Sequence, residues 1–507
     1  MSNYISRRQF LRAAGGVTFL ALTPVGAGLF AAPSLGPDVP LLPLFTVLPY
    51  LQPGEASTLV EGQESLIVAW QTQAQPADFS VEFGISKLYG QTAHTRSTSR
   101  FSGNPEDGEP RLNYTSNLTG LSLNKTYYYR VRGGGQTLAE GYFHTRKARG
   151  TKTRFVAFGD NSFGDISDRA IAYQTYKARP DFVMNTGDNV YEGGLDNEYA
   201  RYFFPVYNST EAGPDLGAPL LRSVPFYTVI ANHDVHGRNL LKHPVADFAK
   251  DPDALAYYTA MSMPLNGPDP AQPTPLVGPA KRLEAFHQTA GPRFPRQANY
   301  SFDYADAHFL CLDSNIYIDP TDASLQAWIE KDLSSTDALW KFVVYHHPAF
   351  NVGAEHFEEQ HMRVLSPLFE KHGVDIALHG HEHTYQRTVP LKFLPTDSTK
   401  AAQTNSSDRR TPGTFILDTV FDGKTHTTPL GVIYVTTGAG GKHLYDLDFT
   451  GAPAKWLLPD DNNTPYVANF ISDRHSLTVF ELEGKTLTMT QVDESGREID
   501  RIKVTKA

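Results

Sequence analysis

The sequence predicts two unlike parts, an all-β sandwich over about residues 40–147 and an α/β domain over 153–507. Short strand-like runs broken by turn clusters fill the first region. In the second, five short apolar runs each lead into a polar residue suited to holding a metal, as interior strands of a sheet covered on both faces do. There too, Leu325, Trp328, Ile329 and Leu333 fall at helical spacing and mark a core-facing helix.

Taken in order, the chain begins with Ser6-Arg7-Arg8-Gln9-Phe10-Leu11-Arg12 and an Ala/Gly-rich apolar stretch to about Ala32. A charged start, a modest apolar region and paired arginines predict a twin-arginine signal peptide over 1–32. Thr18, Thr23, Pro24 and four glycines make that stretch a poor membrane span, so no membrane anchor is expected in the mature chain. A periplasmic or secreted protein, delivered by the twin-arginine export machinery, is the corresponding expectation.

The sandwich rests on Ser65–Trp70, the alternating Phe79-Ser80-Val81-Glu82-Phe83 and Tyr127–Val131, with turns at Gln52-Pro53-Gly54 and Gly133-Gly134-Gly135. Trp70 is its candidate buried tryptophan. The basic, polar stretch from Arg146 to Thr153 is the expected linker. Later strand signals are Phe155–Phe158, Phe182–Met184, Tyr227–Ile230, Phe342–Val344, Ile376–Leu378 and Gly431–Val435. Two final runs, Leu477–Leu482 and Leu487–Val492, are joined by the Glu483-Gly484-Lys485 turn. Asn239–Arg293 and residues 388–430 read as insertions that could shape a pocket.

Seven potential ligands follow these runs: Asp160, Asp188, Tyr191, Asn232, His346, His381 and His383. Ligands gather outside the carboxyl ends of strands in open α/β sheets, so these residues should converge. Seven oxygen and nitrogen donors exceed what one small cation takes and suit two cations sharing a ligand. Such a pair generates hydroxide near neutral pH and clamps phosphoryl oxygens.

The segments FVAFGD, GDNVY, VIANHD, FVVYHHP and ALHGHEH resemble, in order, the five blocks of the purple acid phosphatases within the calcineurin-like metallophosphoesterases. Many relatives in the wider family carry D-x-H in the first block, whereas this chain has Asp160-Asn161-Ser162. Tyr191, in G-D-x-x-Y spacing, replaces that histidine. The resemblance implies a catalytic domain of two mixed sheets flanked by helices. It also implies a binuclear centre, with Fe(III) on Asp160, Tyr191 and His383. A divalent iron, zinc or manganese ion would lie on Asn232, His346 and His381, and Asp188 would bridge. A phenolate is a hard anionic donor, in keeping with ferric iron. His346 rather than His347 is assigned from the H-x-P pattern.

His233 matches a position that faces substrate and protonates the leaving oxygen, and His356 matches a second substrate-facing histidine of plant-type members. Two departures are visible: Ser162 and Ala231 stand where the family usually has glycine. The stretch Tyr114–Val131 and the Pro49-Tyr50-Leu51 opening resemble the fibronectin-III-like domain that precedes plant-type catalytic domains. The implied activity is hydrolysis of small phosphomonoesters by a metal-activated hydroxide. The alternatives are a phosphodiesterase or nucleotidase on the same fold, and a non-catalytic binding or adhesion protein built on the sandwich.

Net charge is −10 and the isoelectric point about 6.0, without a basic stripe, which argues against nucleic-acid binding through the phosphate backbone. Cys311 is the single cysteine, so no intrachain disulfide can form. It lies in the apolar run Phe309–Leu312 and is expected to be a buried strand residue.

Overall fold

The computed structural model describes residues 45–506 apart from 57, 58, 60, 61, 101–110, 236–245, 249, 270–275, 277, 278, 405 and 459–462. The expected signal peptide, residues 40–44 of the sandwich and part of the first insertion therefore lie outside the described residues.

Seven strands build the sandwich: β1 (Phe45–Gln52), β2 (Glu64–Gln73), β3 (Phe79–Gly84), β4 (Gln91–Arg100), β5 (Arg111–Leu121), β6 (Thr126–Gly133) and β7 (Gln136–His144). Their order is β1-β2-β5-β4-β3-β6-β7, all antiparallel. β4 joins the two halves: Gln91–His94 pairs with β3, and Thr95–Arg100 pairs with β5. A strand that changes partners in this way folds one sheet over the other. Trp70 is fully buried between them, stacked 5.7 Å from Tyr114 and edge-on to Phe79 at 5.5 Å.

The second part contains two facing sheets. One has the order β10 (Phe226–Thr228), β9 (Phe182–Asn185), β8 (Thr153–Phe158), β18 (Ser476–Glu483), β19 (Thr486–Asp493), β20 (Glu498–Thr505). The other has the order β11 (Tyr300–Tyr304), β12 (Ala307–Cys311), β13 (Trp340–Val344), β14 (Ile376–His379), β16 (Ile433–Thr437), β15 (Tyr385–Thr388), β17 (Val467–Ile471). β8, β9 and β10 run parallel, as do β12, β13, β14 and β16, while the outer strands are antiparallel. Both sheets are thus mixed.

Phenylalanines fill the space between the sheets: Phe155 meets Phe309 and Phe342 edge-on at 5.2 Å and stacks on Phe480 at 4.6 Å. Rings of this size dominate buried area, and their edge-to-face geometry suits close packing. Helices α1 (Ile166–Ala178) and α2 (Ala323–Ser335) flank the sheets. α2 buries Leu325, Ile329 and Leu333, with Trp328 partly buried at its margin.

Two sequence expectations are corrected here. The third run ends as a strand at Thr228, so Val229 and Ile230 belong to the buried connection leading to Asn232. The carboxyl-terminal hairpin also continues into a third strand, β20, where Ile502 and Val504 alternate with polar residues too sparsely to stand out in sequence. The insertion at 388–430 contains a two-stranded hairpin, Leu391–Pro395 with Gly413–Leu417.

Candidate metal centre

Five parallel strands deliver the polar residues: β8 leads to Asp160, β9 to Asp188, β10 to Asn232, β13 to His346, and β14 to His381 and His383. The chain must turn sharply at these strand ends. Asp160, Asp188 and His381 all adopt left-handed backbone, with φ of 59°, 49° and 68°. Such conformations are costly outside glycine and cluster where surrounding structure imposes them. Ser162 also has φ of 61°, which explains why glycine is favoured at that position and why a small polar residue can stand in.

The donors converge. The Tyr191 hydroxyl donates to Asp188 Oδ2 at 2.9 Å, lies 3.3 Å from Asp160 Oδ1 and is 3.2 Å from His383 Nε2. His346 Nε2 is 3.4 Å from Asp188 Oδ2 and 3.9 Å from Asp160 Oδ1, while His383 Nε2 is 3.6 Å from Asp160 Oδ1. Single ligand atoms of Asp188, His346 and His381 all lie within 4.8 Å of one another. His347 stays beside the centre: its Nδ1 pairs with Ser314 Oγ at 2.9 Å, its Nε2 lies 3.7 Å from Glu359 Oε2 and its ring is 4.2 Å from that of His381, so it groups with Glu359 and His381.

The outer nitrogen of each histidine is already committed. Thr186 O takes Nδ1–H of His346 at 2.9 Å, His443 O takes Nδ1–H of His383 at 2.6 Å, and Glu359 Oε2 takes Nε2–H of His381 at 3.0 Å. Each bond fixes a tautomer whose lone pair is on the other nitrogen, the arrangement found behind metal-ligating histidines. Two buried atoms, His346 Nε2 and Asn232 Oδ1, have no hydrogen-bond partner. Buried acceptors are seldom left in that state, and a cation satisfies both. These residues fit a metal centre.

Electrostatics point the same way. Burial pushes the Asp160 carboxyl well above its usual range; nearby His346 opposes this and Asp188 adds to it. Burial also works against ionised Asp188, yet His346 and His233 hold it well below the usual carboxylate value. Burial would depress His346, but Asp188 and Asp160 raise it to about 9. Burial first, then Asp188 and Asp160, drive the Tyr191 phenol upward. The site is a buried negative pocket that draws positive charge, so loading it with cations would displace protons.

His233 and His356, the two candidates for substrate contact, both reach this region. His233 donates its backbone N–H to Asp188 Oδ1 at 3.0 Å, bonds Glu192 O through Nδ1 at 2.9 Å, and lies 4.4 Å ring to ring from Tyr191. The His356 ring sits 3.9 Å from that of His381, with Nδ1 3.4 Å from Glu359 Oε1. Burial lowers His356, but the bond to Glu359 and the charge of Glu382 carry it to about 9.

Of the other residues at the site, Glu382 lies inside the ALHGHEH block, while Glu359, Tyr445 and Lys442 fall outside the five blocks. Glu359 is held well below its usual range: burial opposes ionisation, and His381 and His356 overcome it. Buried Glu382 is pushed up to about 7, chiefly by desolvation, and accepts from Asn351 Nδ2 and the His356 N–H. Tyr445 stacks on His383 at 4.0 Å. Lys442 is buried beside Tyr191. The sequence signal for Lys442 is its place directly after the Gly438–Gly441 run; Glu359 sits three residues past His356, a spacing that stands out only once both face His381.

A calcineurin-like phosphoesterase model matches residues 153–385, and a purple acid phosphatase N-terminal domain model matches residues 56–146. Purple acid phosphatase 17 of Arabidopsis thaliana is 25% identical over 280 residues, covering 53% of this chain and 75% of the relative. A phosphoenolpyruvate phosphatase of Allium cepa is 24% identical over 394 residues, covering 75% of this chain and 67% of the relative. Among solved structures, a purple acid phosphatase from yellow lupin seeds superposes with a TM-score of 0.61 at 18% identity, over 90% of this chain and 74% of that one. A PhoD structure gives 0.53 at 14% identity, over 93% and 94%. The two structures share the fold. With these matches, the chain carries a calcineurin-like phosphoesterase domain behind a purple acid phosphatase N-terminal domain, and it is similar in sequence to purple acid phosphatases.

Proposed function

We propose that this phosphoesterase is an exported acid phosphatase that hydrolyses phosphomonoesters at a binuclear metal centre. In this reading Asp160, Tyr191 and His383 hold a ferric ion. Asn232, His346 and His381 hold a divalent one, and Asp188 spans both. The single observation that carries the reading is the cluster itself: three histidines whose hydrogen bonds leave a lone pair free, one of them the partnerless His346 Nε2, beside the Asp160 and Asp188 carboxylates. When bound, such a metal pair supplies a nucleophile at neutral or acidic pH and neutralises phosphoryl oxygens.

The chain's own residues do the rest. His233, oriented through its Nδ1–H by the Glu192 carbonyl, offers Nε2 to the leaving oxygen and, when it enters the reaction as the imidazolium, gives it the Nε2 proton and is left neutral. His356, kept cationic near neutral pH by Glu359 and Glu382 against the pull of burial, attracts the phosphoryl oxygens. Glu359 holds the His381 ring in register.

The test is the rate on a phosphomonoester beside a matched phosphodiester, with metal content measured on the same exported protein. Monoester preference with about two metals per chain supports the reading. Diester preference keeps the centre but moves the substrate class, and absence of stoichiometric metal removes the catalytic reading. Export rests on Arg7-Arg8 and the apolar stretch behind them, and the amino-terminal sequence of the secreted protein checks it.

A further inference from the structure

Lys442 follows the Gly438–Gly441 turn after β16, and its side chain enters the metal pocket instead of solvent, with 5% of it exposed. Its Nζ lies 3.4 Å from the Phe163 ring centroid and 4.4 Å from the Tyr191 ring centroid, and it donates to Glu192 Oε1 at 2.8 Å. The Lys442 backbone N–H donates to Asp160 O at 2.9 Å, so the residue is rooted on the same loop as the first carboxylate. Glu192 in turn holds His233 through its backbone carbonyl. One ammonium therefore touches the Tyr191 ring and the residue that orients His233. Burying an ammonium is costly, and a lysine that served only for packing would be replaced by methionine without that cost. Two aromatic faces and one carboxylate are the groups that recompense a desolvated cation.

We propose that Lys442 is a positioning residue whose buried charge, seated against the Tyr191 ring and tied to Glu192, limits how much electron density the Tyr191 oxygen donates and keeps His233 aligned. The inference rests on the reading of Tyr191 as a ligand to ferric iron. A positive charge on the π face stabilises the filled phenolate orbitals. Removing it raises them, so a phenolate-to-iron absorption band moves to longer wavelength.

The experiment uses full-length protein loaded with Fe(III) and Zn(II), comparing wild type with Lys442→Met, Lys442→Gln and Lys442→Arg. Both neutral variants are expected to shift the visible band to longer wavelength, and Lys442→Arg to return it towards the wild-type position. With the neutral variants, kcat should fall about 10- to 100-fold with KM little changed. Lys442→Gln keeps a donor for Glu192 and serves where Lys442→Met does not fold. A band that stays in place in a folded, iron-loaded neutral variant overturns the inference while leaving Tyr191 as a ligand. No band in the iron-loaded wild type overturns the Tyr191 assignment first, and the role of Lys442 with it.

Discussion

Single atoms decide the chemistry of this pocket. Asn232 Oδ1 is buried with no hydrogen-bond partner, a state that a bound cation would relieve. Asn232→Ala is therefore expected to lower bound metal from about two ions to about one per chain, with activity falling at least about tenfold. Elemental analysis of purified protein reads the first effect, and an unchanged metal ratio would count against the assignment. The histidines repeat the point. His346 and His347 are adjacent in sequence and both pack on the His381 ring, yet the Nε2 of one faces Asp188 and the Nε2 of the other faces Glu359. The sequence pattern favoured His346, whereas the tautomer that leaves its Nε2 lone pair free follows from Thr186, distant in the chain.

At the scale of elements, glycines and carboxylates hold the strand-end loops. Asp168 in α1 accepts the backbone N–H groups of Ser162, Phe163, Gly164 and Asp165, fixing the loop that carries Asp160. Gly441 presses on that carboxylate: a Cβ there would lie 1.9 Å from Asp168 Oδ1, and its φ of +152° already disfavours side chains. Gly441→Ala is expected to cost about 1–3 kcal/mol and to loosen the Asp160 loop. Gly451→Ala, also at positive φ but with nothing within 4 Å, separates backbone strain from collision. Denaturant titration of the two variants gives the comparison, and equal losses would show that the contact with Asp168 is unimportant.

A second element-scale device is His308 on β12, whose ring bonds Asp303 of β11 and Asp332 of α2, each at 2.8 Å. Burial pulls its pKa down, but the two carboxylates outweigh it and raise it to about 9. The sign follows from linkage. A raised folded-state pKa stabilises fully below the unfolded value of about 6.5, and that contribution is lost as pH rises through about 9. His308→Leu should therefore destabilise the protein more at pH 6 than at pH 10. A pH-independent difference would mean that His308 acts by packing alone.

Across the whole molecule, the two domains share a buried ionic junction. Arg146, just past β7, bonds Glu64 of β2 at 3.3 Å, Asp303 O at 2.8 Å and Tyr227 Oη at 3.4 Å. Tyr50 and Val47 of the sandwich also pack into the core of the second part. Arg146 thus belongs to the joint that the sequence reads as a plain polar linker. Arg146→Met would leave Glu64 buried and uncompensated, at about 3–5 kcal/mol. Chemical denaturation measures it, and a loss below 1 kcal/mol would place the joint's strength in the apolar contacts instead.

The sequence by itself determined the strand-like runs, the order of the seven donors, the core stripe of α2 and the sandwich with its buried Trp70. Each is a local pattern, written in neighbours two to seven residues apart, so it survives without a fold. Only the tertiary structure decided what stands behind those donors. Glu359, Tyr445 and Lys442 reach the pocket from segments that carry no repeated spacing, and β20 escaped because its alternation is thin. The register of Arg146 with Glu64 and Asp303 likewise arises when segments 82 and 157 residues apart meet. A contact made across such separations is paid for by packing of the whole chain, and no short window of sequence contains it.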